Sequence, residues 1–179
     1  MKLPPYFMVF DVESIGLHGE AFAVGWVVID RKGVYLDQDW AACSPTKASG
    51  TPADHKWVNE NTDVHPSRRS PRETRDCFWA AWSKWKLKDA VLVADCAWPV
   101  EARFLAACID DDRVDRRWSG PYPLHEIASF ALAAGYDPLR TEDRHPEDWP
   151  AHHPLCDARH SARQLIHYLD VIERRETKP

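Results

Sequence analysis

The sequence predicts an α/β fold in which helices flank a mixed β-sheet. Its 179 residues suit one hydrophobic core, so we assign residues 1–179 to a single domain. The first 43 residues have the pattern of three consecutive strands, which predicts an antiparallel meander. The rest alternates helical patterns with a short apolar strand, as parallel strands joined by crossover helices do.

The meander is predicted by three segments that are rich in aromatic and β-branched residues. Turn-like SIGLHG and RKG separate these segments, which are residues 5–13 (PYFMVFDVE), 20–30 (EAFAVGWVVID) and 33–43 (GVYLDQDWAAC). Residues 44–71 then contain four prolines and no periodic pattern, which predicts a long surface connection and a candidate substrate loop.

The following segments predict a helix that leads into a central strand. Residues 72–87 place Phe78, Trp82 and Trp85 at helical spacing, so we expect these side chains in the core. The apolar run AVLVA at residues 90–94 is typical of a buried strand.

Three further helices are expected in the C-terminal half. Pro99 begins the first, which extends to about Ile109, and a mixed-charge link with a short strand around residues 114–118 follows. Residues 124–134 form the second helix, which Gly135 ends, and residues 136–153 form a polar loop. The third begins at Pro154 and repeats apolar residues every three or four positions, at Ala158, Ala162, Leu165, Leu169 and Ile172.

Composition restricts the classes of partner. Lys and Arg total 23 against 28 acidic residues, and the net charge of -5 argues against broad electrostatic coating of nucleic acid, so a polyanion must be bound locally. The chain has no apolar run of about 18 residues and no signal-peptide pattern, so we expect a soluble protein that does not bind membranes. Five cysteines without a CxxC pair indicate reduced thiols, and the cytoplasm is the expected compartment.

Asp11 and Glu13 are the first candidates for chemistry. They are two apart on the expected central strand, so both carboxylates leave the same face, about 6.5 to 7 Å apart along the chain. Two buried carboxylates repel each other unless a cation lies between them, and a divalent metal ion resolves the conflict. The alternative is a strand at the sheet edge, with Glu13 already in solvent.

His152 and Asp157 are the second pair of candidates. Asp157 lies in the first turn of the last helix, where an acid commonly only stabilises the helix. Together with Asp11 and Glu13, it offers the oxygen ligands that Mg²⁺ or Mn²⁺ prefers. The imidazole of His152 suits proton abstraction from water.

Glu101 and Asp95 are alternatives for a further acid. Glu101 would occupy the first turn of its helix on the buried side, where it is either a metal-site carboxylate or a cap for exposed backbone amides. Asp95 ends the AVLVAD strand and is either a site residue or a turn former.

In chain order these residues resemble the DEDDh family of 3′-5′ exonucleases, which includes proofreading subunits and ribonuclease T. FDVES matches the first family block with Asp11 and Glu13, and HHPLCDA matches the third with His152 and Asp157. PLHEIASFALAAG resembles the helix that precedes the third block. The second block, ADCAWPVEARFL, departs from the family because Glu101 stands where an aspartate is usual. Glu101 has the family's distance from the closing Phe-Leu pair, so we take it as the acid of this block, with Asp95 as the second choice for that acid.

The resemblance implies a ribonuclease H-like fold and hydrolysis of a terminal phosphodiester with two Mg²⁺ or Mn²⁺ ions. By that resemblance Asp11 bridges both ions, Glu13 and Asp157 complete the site of one, and Glu101 acts on the other through water. His152 is the implied base, and His153 is its rival. The implied substrates are the 3′ ends of single-stranded or frayed DNA or RNA, released as nucleoside monophosphates.

Substrate contacts must come from other segments. Arg68, Arg69, Arg72 and Arg75 lie near the end of the long connection and are candidates for phosphate binding. Trp57 or Trp98 on a cleft loop would offer a stacking surface for a base. Of these, we predict Trp57, Arg68 and Arg69 as substrate-binding residues, and a homo-oligomer is compatible with the sequence.

Two other classes of function remain open from sequence. The irregular second block is compatible with a catalytically weak or inactive nucleic-acid-binding module on the same scaffold. A zinc site made of His152, His153 and Cys156 is the third hypothesis, and it lacks a clear fourth soft ligand.

Overall fold

A five-stranded mixed sheet forms the centre of the computed structural model, which describes residues 4–139 and 143–176. The strand order is β3-β2-β1-β4-β5. β1 pairs antiparallel with β2 and parallel with β4, while β3 pairs antiparallel with β2 and β5 parallel with β4. The strands are β1 Tyr6–Ser14, β2 Ala21–Asp30, β3 Tyr35–Ala42, β4 Ala90–Ala94 and β5 His125–Glu126. The predicted meander and the predicted parallel strand are confirmed, and β1 is central.

The helices lie on both faces of this sheet. They are α1 Pro52–Asn61, α2 Pro71–Lys86, α3 Ala102–Asp111, α4 Arg113–Arg116, α5 Ile127–Ala133 and α6 Pro154–Glu176. Short 3₁₀ turns occur at Pro45–Lys47 and Pro146–Asp148, and a π-helical turn, Ala97–Glu101, precedes α3. Across the described ranges, no helix combines the length and the apolar character needed to cross a bilayer.

Alternation along β1 divides the core into two layers. Met8, Phe10 and Val12 pack with aromatic residues of α2 and with α3 on one face. Phe7 and Val9 pack with α5 and α6 on the other. Because side chains alternate along a strand, Asp11 and Glu13 continue the Phe7–Val9 set and face the layer that contains α6.

The long connection at residues 44–71 is where the sequence prediction was wrong. It contains α1, whose Thr51 hydroxyl caps the helix by accepting a hydrogen bond from the Asp54 amide at 3.2 Å, with Pro52 in the first turn. Val58 is the one residue of this helix that is buried. The segment therefore lacks the repeated apolar positions by which a helix is recognised in a sequence.

Two smaller predictions also need correction. The strand expected around residues 114–118 is absent: residues 113–116 form the short helix α4, which Asp112 caps, and a turn follows. The helix expected from residue 124 begins at Ile127, because His125 and Glu126 pair with β4 as a short edge strand. The core positions predicted for Phe78, Trp82 and Trp85 are confirmed, with 0%, 3% and 5% exposure.

Candidate active site

The site lies at the carboxyl end of β1. Asp11 stands opposite Gly25 of β2, and Glu13 stands opposite Ala23. Val12, between the two acids, points into the opposite core layer. The sequence pattern of one buried apolar residue between two acids thus places both carboxylates on the α6 face of the most central strand.

Gly25 lets α6 begin directly against this point. A Cβ atom on Gly25 would lie 2.3 Å from the carbonyl carbon of Pro154 and from the amide nitrogen of Leu155. Nonbonded contacts of a Cβ atom are essentially never that short, so any other residue at this position would push the start of α6 away from β2. The bare backbone opposite Asp11 therefore allows the first turn of α6 to deliver Asp157 to the strand acids.

Three predicted site residues from distant parts of the chain meet here. One ligand atom each from Glu13, His152 and Asp157 lie within 4.8 Å of one another. His152 adopts a left-handed backbone conformation with φ of 60° in the turn before α6. The distance is short enough for the three groups to share one ion.

His153 has a different environment from His152. Its ring packs edge-on against Trp40 of β3 at 5.0 Å, and its Nδ1 atom is buried without a hydrogen-bond partner. Burial lowers the pKa of this imidazole. The structure therefore brings His152, and not its neighbour, to Glu13 and Asp157.

The strand acids carry strongly perturbed pKa values. Burial is the largest cause of the raised pKa of Asp11, followed by repulsion from Glu13, Asp157, Glu101 and Asp95. Burial also raises the pKa of Glu13 to about 8, with further contributions from the charge of Asp157 and a hydrogen bond to it. A bound cation would relieve the burial cost and the mutual repulsion that raise these pKa values.

Glu101 lies within reach of this cluster. The side chain is buried, with 7% exposure, and burial raises its pKa to about 7 although backbone amides at Glu101 and Val12 donate hydrogen bonds to it. Its charge raises the pKa of both Asp11 and Glu13, whereas the more exposed Asp95 contributes to that of Asp11. Both second-block alternatives therefore approach the site, and Glu101 interacts with both strand acids.

A cation that the sequence analysis did not consider also contacts the cluster. Nη1 of Arg144 lies 2.5 Å from Oδ1 of Asp157. Nη1 also donates a hydrogen bond to the carbonyl oxygen of Asp148 at 2.9 Å. Arg144 lies in an irregular loop that carries no periodic pattern, so nothing in the sequence indicated that its side chain would reach the site.

The predicted substrate-binding residues occupy two different places. Trp57 of α1 is 48% exposed, and its ring lies edge-on to His152 at 5.3 Å. Arg68 donates to the Sγ atom of Cys77, a residue of α2 on the side of the sheet opposite α6, and Arg69 is exposed. The structure thus brings Trp57 to the site and places Arg68 towards the opposite sheet face.

Arg75, also considered for phosphate binding, is buried in an ion-pair network. It contacts both carboxylate oxygens of Asp111, at 2.5 and 3.0 Å, and Oε1 of Glu20 at 3.1 Å. Paired on both sides, this guanidinium fixes α2 to α3 and to the start of β2.

A cavity of about 530 Å³ lies between α3 and the turn that joins β1 to β2. Ser14 and Val100, the chain neighbours of Glu13 and Glu101, are among its lining residues, together with Arg103 of α3. The turn between β1 and β2 forms its other wall.

The donor set fits a hard divalent cation. Carboxylate oxygens dominate it, and one buried oxygen, Oδ1 of Asp157, has no hydrogen-bond donor. The zinc hypothesis fits less well, because the Sγ of Cys156 is directed to the carbonyl oxygen of Trp149 at 3.4 Å, while His153 packs on Trp40. All five cysteines are free thiols.

Comparison with solved structures identifies the fold. A 3′-exonuclease in a structure on 3′-end specific recognition of a histone mRNA stem-loop superimposes with a TM-score of 0.58 and 14% identity, covering 95% of this chain and 84% of that one. An exonuclease I structure gives a TM-score of 0.59 with 15% identity, covering 96% of this chain and 43% of that chain. This chain has the fold of those exonucleases.

The fold predicted from the sequence blocks is therefore confirmed. A third structure, a full-length 3′-exonuclease, agrees with a TM-score of 0.55 at 15% identity, over 94% of this chain and 83% of that one. No family model matches the sequence, and no curated protein matches it either. At these identities the similarity lies in the backbone architecture.

Proposed function

We propose that the protein is a metal-dependent 3′-5′ exonuclease that releases nucleoside monophosphates from single-stranded or frayed ends of DNA or RNA. The observation that carries the proposal is the convergence of Glu13, His152 and Asp157 within 4.8 Å beside Asp11, in an exonuclease fold. These residues belong to β1 and to the segment that begins α6, two elements more than 130 residues apart in the chain.

The proposed roles follow from position and chemistry. Asp11, Glu13 and Asp157 would hold two Mg²⁺ or Mn²⁺ ions, and Glu101 would be a further acid of the same site. Two such ions stabilise the attacking and the leaving oxygens of an in-line displacement. His152, which has a ring nitrogen within 4.8 Å of carboxylate oxygens of Glu13 and Asp157, would take the proton from a water held at this site.

The exposed ring of Trp57 supports a single-stranded substrate. Stacking on an aromatic side chain contributes about 1 to 3 kcal/mol per base and tolerates any sequence. The similar structures include a 3′-exonuclease studied on a histone mRNA stem-loop and an exonuclease I–ssDNA complex from E. coli, which supports a nucleic-acid end as the substrate. We propose the same class of substrate here. Because Arg68 is directed away from the acids, we assign Arg68 and the exposed Arg69 to phosphates upstream of the cleaved nucleotide.

The direct test of this activity is digestion of a 5′-labelled single-stranded oligonucleotide with Mn²⁺ or Mg²⁺. We expect a ladder that shortens from the 3′ end and nucleoside monophosphates as products, while a blocked 3′ end prevents digestion. Binding of the oligonucleotide without cleavage in either metal would contradict the proposal and favour the non-catalytic binding module.

His152→Ala is expected to slow this digestion by roughly 10² to 10⁴-fold, the usual contribution of a positioned general base. The residual rate should rise with pH, because hydroxide then replaces water activated by the imidazole. His167→Ala is the matched control, since His167 is an exposed histidine ten residues beyond Asp157 on α6, about 15 Å along the helix axis. Equal rates for both variants would exclude His152 as the base.

A further inference from the structure

We propose that Arg144 is a positioning residue that exchanges partners: it competes with a divalent ion for Asp157, and when the ion binds it turns to a phosphate oxygen of the nucleic-acid end. This inference rests on the proposed function and adds a substrate-binding residue to it.

The geometry of the contact indicates an exchangeable pair. Nη1 of Arg144 approaches Oδ1 of Asp157 to 2.5 Å, yet this oxygen accepts no aligned hydrogen bond. The well-formed bond of Nη1 goes to the carbonyl oxygen of Asp148 instead. Arg144 therefore supplies charge to Asp157 without satisfying its lone pairs, which remain able to coordinate an ion.

The loop around Arg144 holds the guanidinium beside the site. Asp148 is fully buried, and Nε of Arg163 on α6 donates to its Oδ2 at 2.9 Å. The guanidinium carbon of Arg144 also lies 5.8 Å from the centre of the Trp149 ring. The segment is thus anchored to α6 through Asp148, and the Arg144 side chain keeps 20% of its surface exposed.

Charge explains why the partners would exchange. At least four acidic side chains, Asp11, Glu13, Glu101 and Asp157, act on one another electrostatically, and Arg144 is a monovalent cation at the edge of that group. A divalent ion attracts Asp157 more strongly and repels the guanidinium. The released guanidinium presents several donors in a planar fork, which matches the oxygens of a phosphate.

The first test is the affinity for Mn²⁺ alone, measured by isothermal titration calorimetry. With its competitor removed, Arg144→Gln should bind Mn²⁺ about fivefold more tightly than the wild type, as expected for loss of a partly buried ion pair. Arg144→Lys should remain close to the wild type because it keeps the charge. Arg159→Gln removes one positive charge from the same helix as Asp157 and is the matched control, expected within about twofold of the wild type.

The second test is the affinity for a 5′-fluorescent single-stranded oligonucleotide, measured by anisotropy with Ca²⁺ so that binding is recorded without turnover. Arg144→Gln should bind about tenfold more weakly, with a salt dependence reduced by about one phosphate contact, and Arg159→Gln should bind like the wild type. Arg144→Lys should restore part of the loss.

The outcomes separate this inference from the proposed function. If the wild type binds neither Mn²⁺ nor the oligonucleotide, the proposed function fails. If the wild type binds both and Arg144→Gln matches Arg159→Gln in either assay, the exchange by Arg144 is wrong and the proposed function stands. Weaker Mn²⁺ binding by Arg144→Gln would also contradict the exchange.

Discussion

The Asp11→Asn variant is expected to unfold at a higher temperature than the wild type in the absence of metal, and to lose hydrolysis. Burial and four neighbouring carboxyls raise the pKa of Asp11, so its charge is costly in the folded protein. An amide removes that charge, and we expect an increase in the melting temperature of roughly 3 °C or more. The same change removes the central metal ligand, and hydrolysis should fall on the order of 10³-fold.

Thermal unfolding with and without Mn²⁺ measures the first effect, and oligonucleotide digestion measures the second. Asp170→Asn is the control, because Asp170 is an exposed acid of α6 that pairs only loosely with Arg174, at 3.9 Å. It changes the net charge equally and should change neither quantity. An Asp11→Asn protein that is less stable than the wild type without metal would show that Asp11 has a structural partner rather than a metal-binding role.

The metal-free protein is expected to lose stability as the pH rises from about 5 to 8. Glu13 has a pKa of about 8 in the folded protein against an ordinary value of 4.5, and Glu101 has one of about 7. Between those limits the folded state holds protons that the unfolded chain has released, so raising the pH favours unfolding. Since one pKa unit corresponds to about 1.4 kcal/mol, the two groups together lower the free energy of unfolding by an amount on the order of several kcal/mol.

The comparison between the wild type and Glu13→Gln isolates this effect from other titrating groups. Melting temperatures measured in EDTA from pH 5 to 8 should fall more steeply for the wild type than for Glu13→Gln. Glu60→Gln, on the exposed surface of α1, should follow the wild type. Saturating Mn²⁺ should reduce the slope, because the ion takes the place of the protons. Parallel curves for the wild type and Glu13→Gln would contradict the raised pKa.

Much of the site could be predicted because its residues follow strong local patterns. Asp11 and Glu13 lie two apart in an unmistakable strand, so their common face follows from alternation alone. Asp157 lies one turn into a helix with a clear apolar stripe. Local pattern alone could not predict that these segments meet; that prediction depended on the family resemblance. In the structure, Gly25 allows the start of α6 to approach β2 closely enough for the segments to meet.

Other features depend on long-range contacts that leave no periodic signal. Helix α1 is polar around most of its circumference, and a proline and a capping threonine are its main signs in the sequence. The choice between His152 and His153 depends on one residue with a left-handed backbone conformation, which turns the first towards the acids and the second towards Trp40. Arg144 reaches Asp157 from an irregular loop, and such contacts cannot be read from spacing.

The central claim is that acids from β1 and α6 jointly bind a pair of divalent ions. Crystals grown or soaked with Mn²⁺ and a nucleoside monophosphate test it most directly, through the anomalous scattering of manganese. The account predicts two manganese peaks about 3.5 to 4 Å apart, both in contact with Asp11, with Glu13 and Asp157 on one of them. Manganese bound elsewhere on the protein, with none between Asp11 and Asp157, would contradict it.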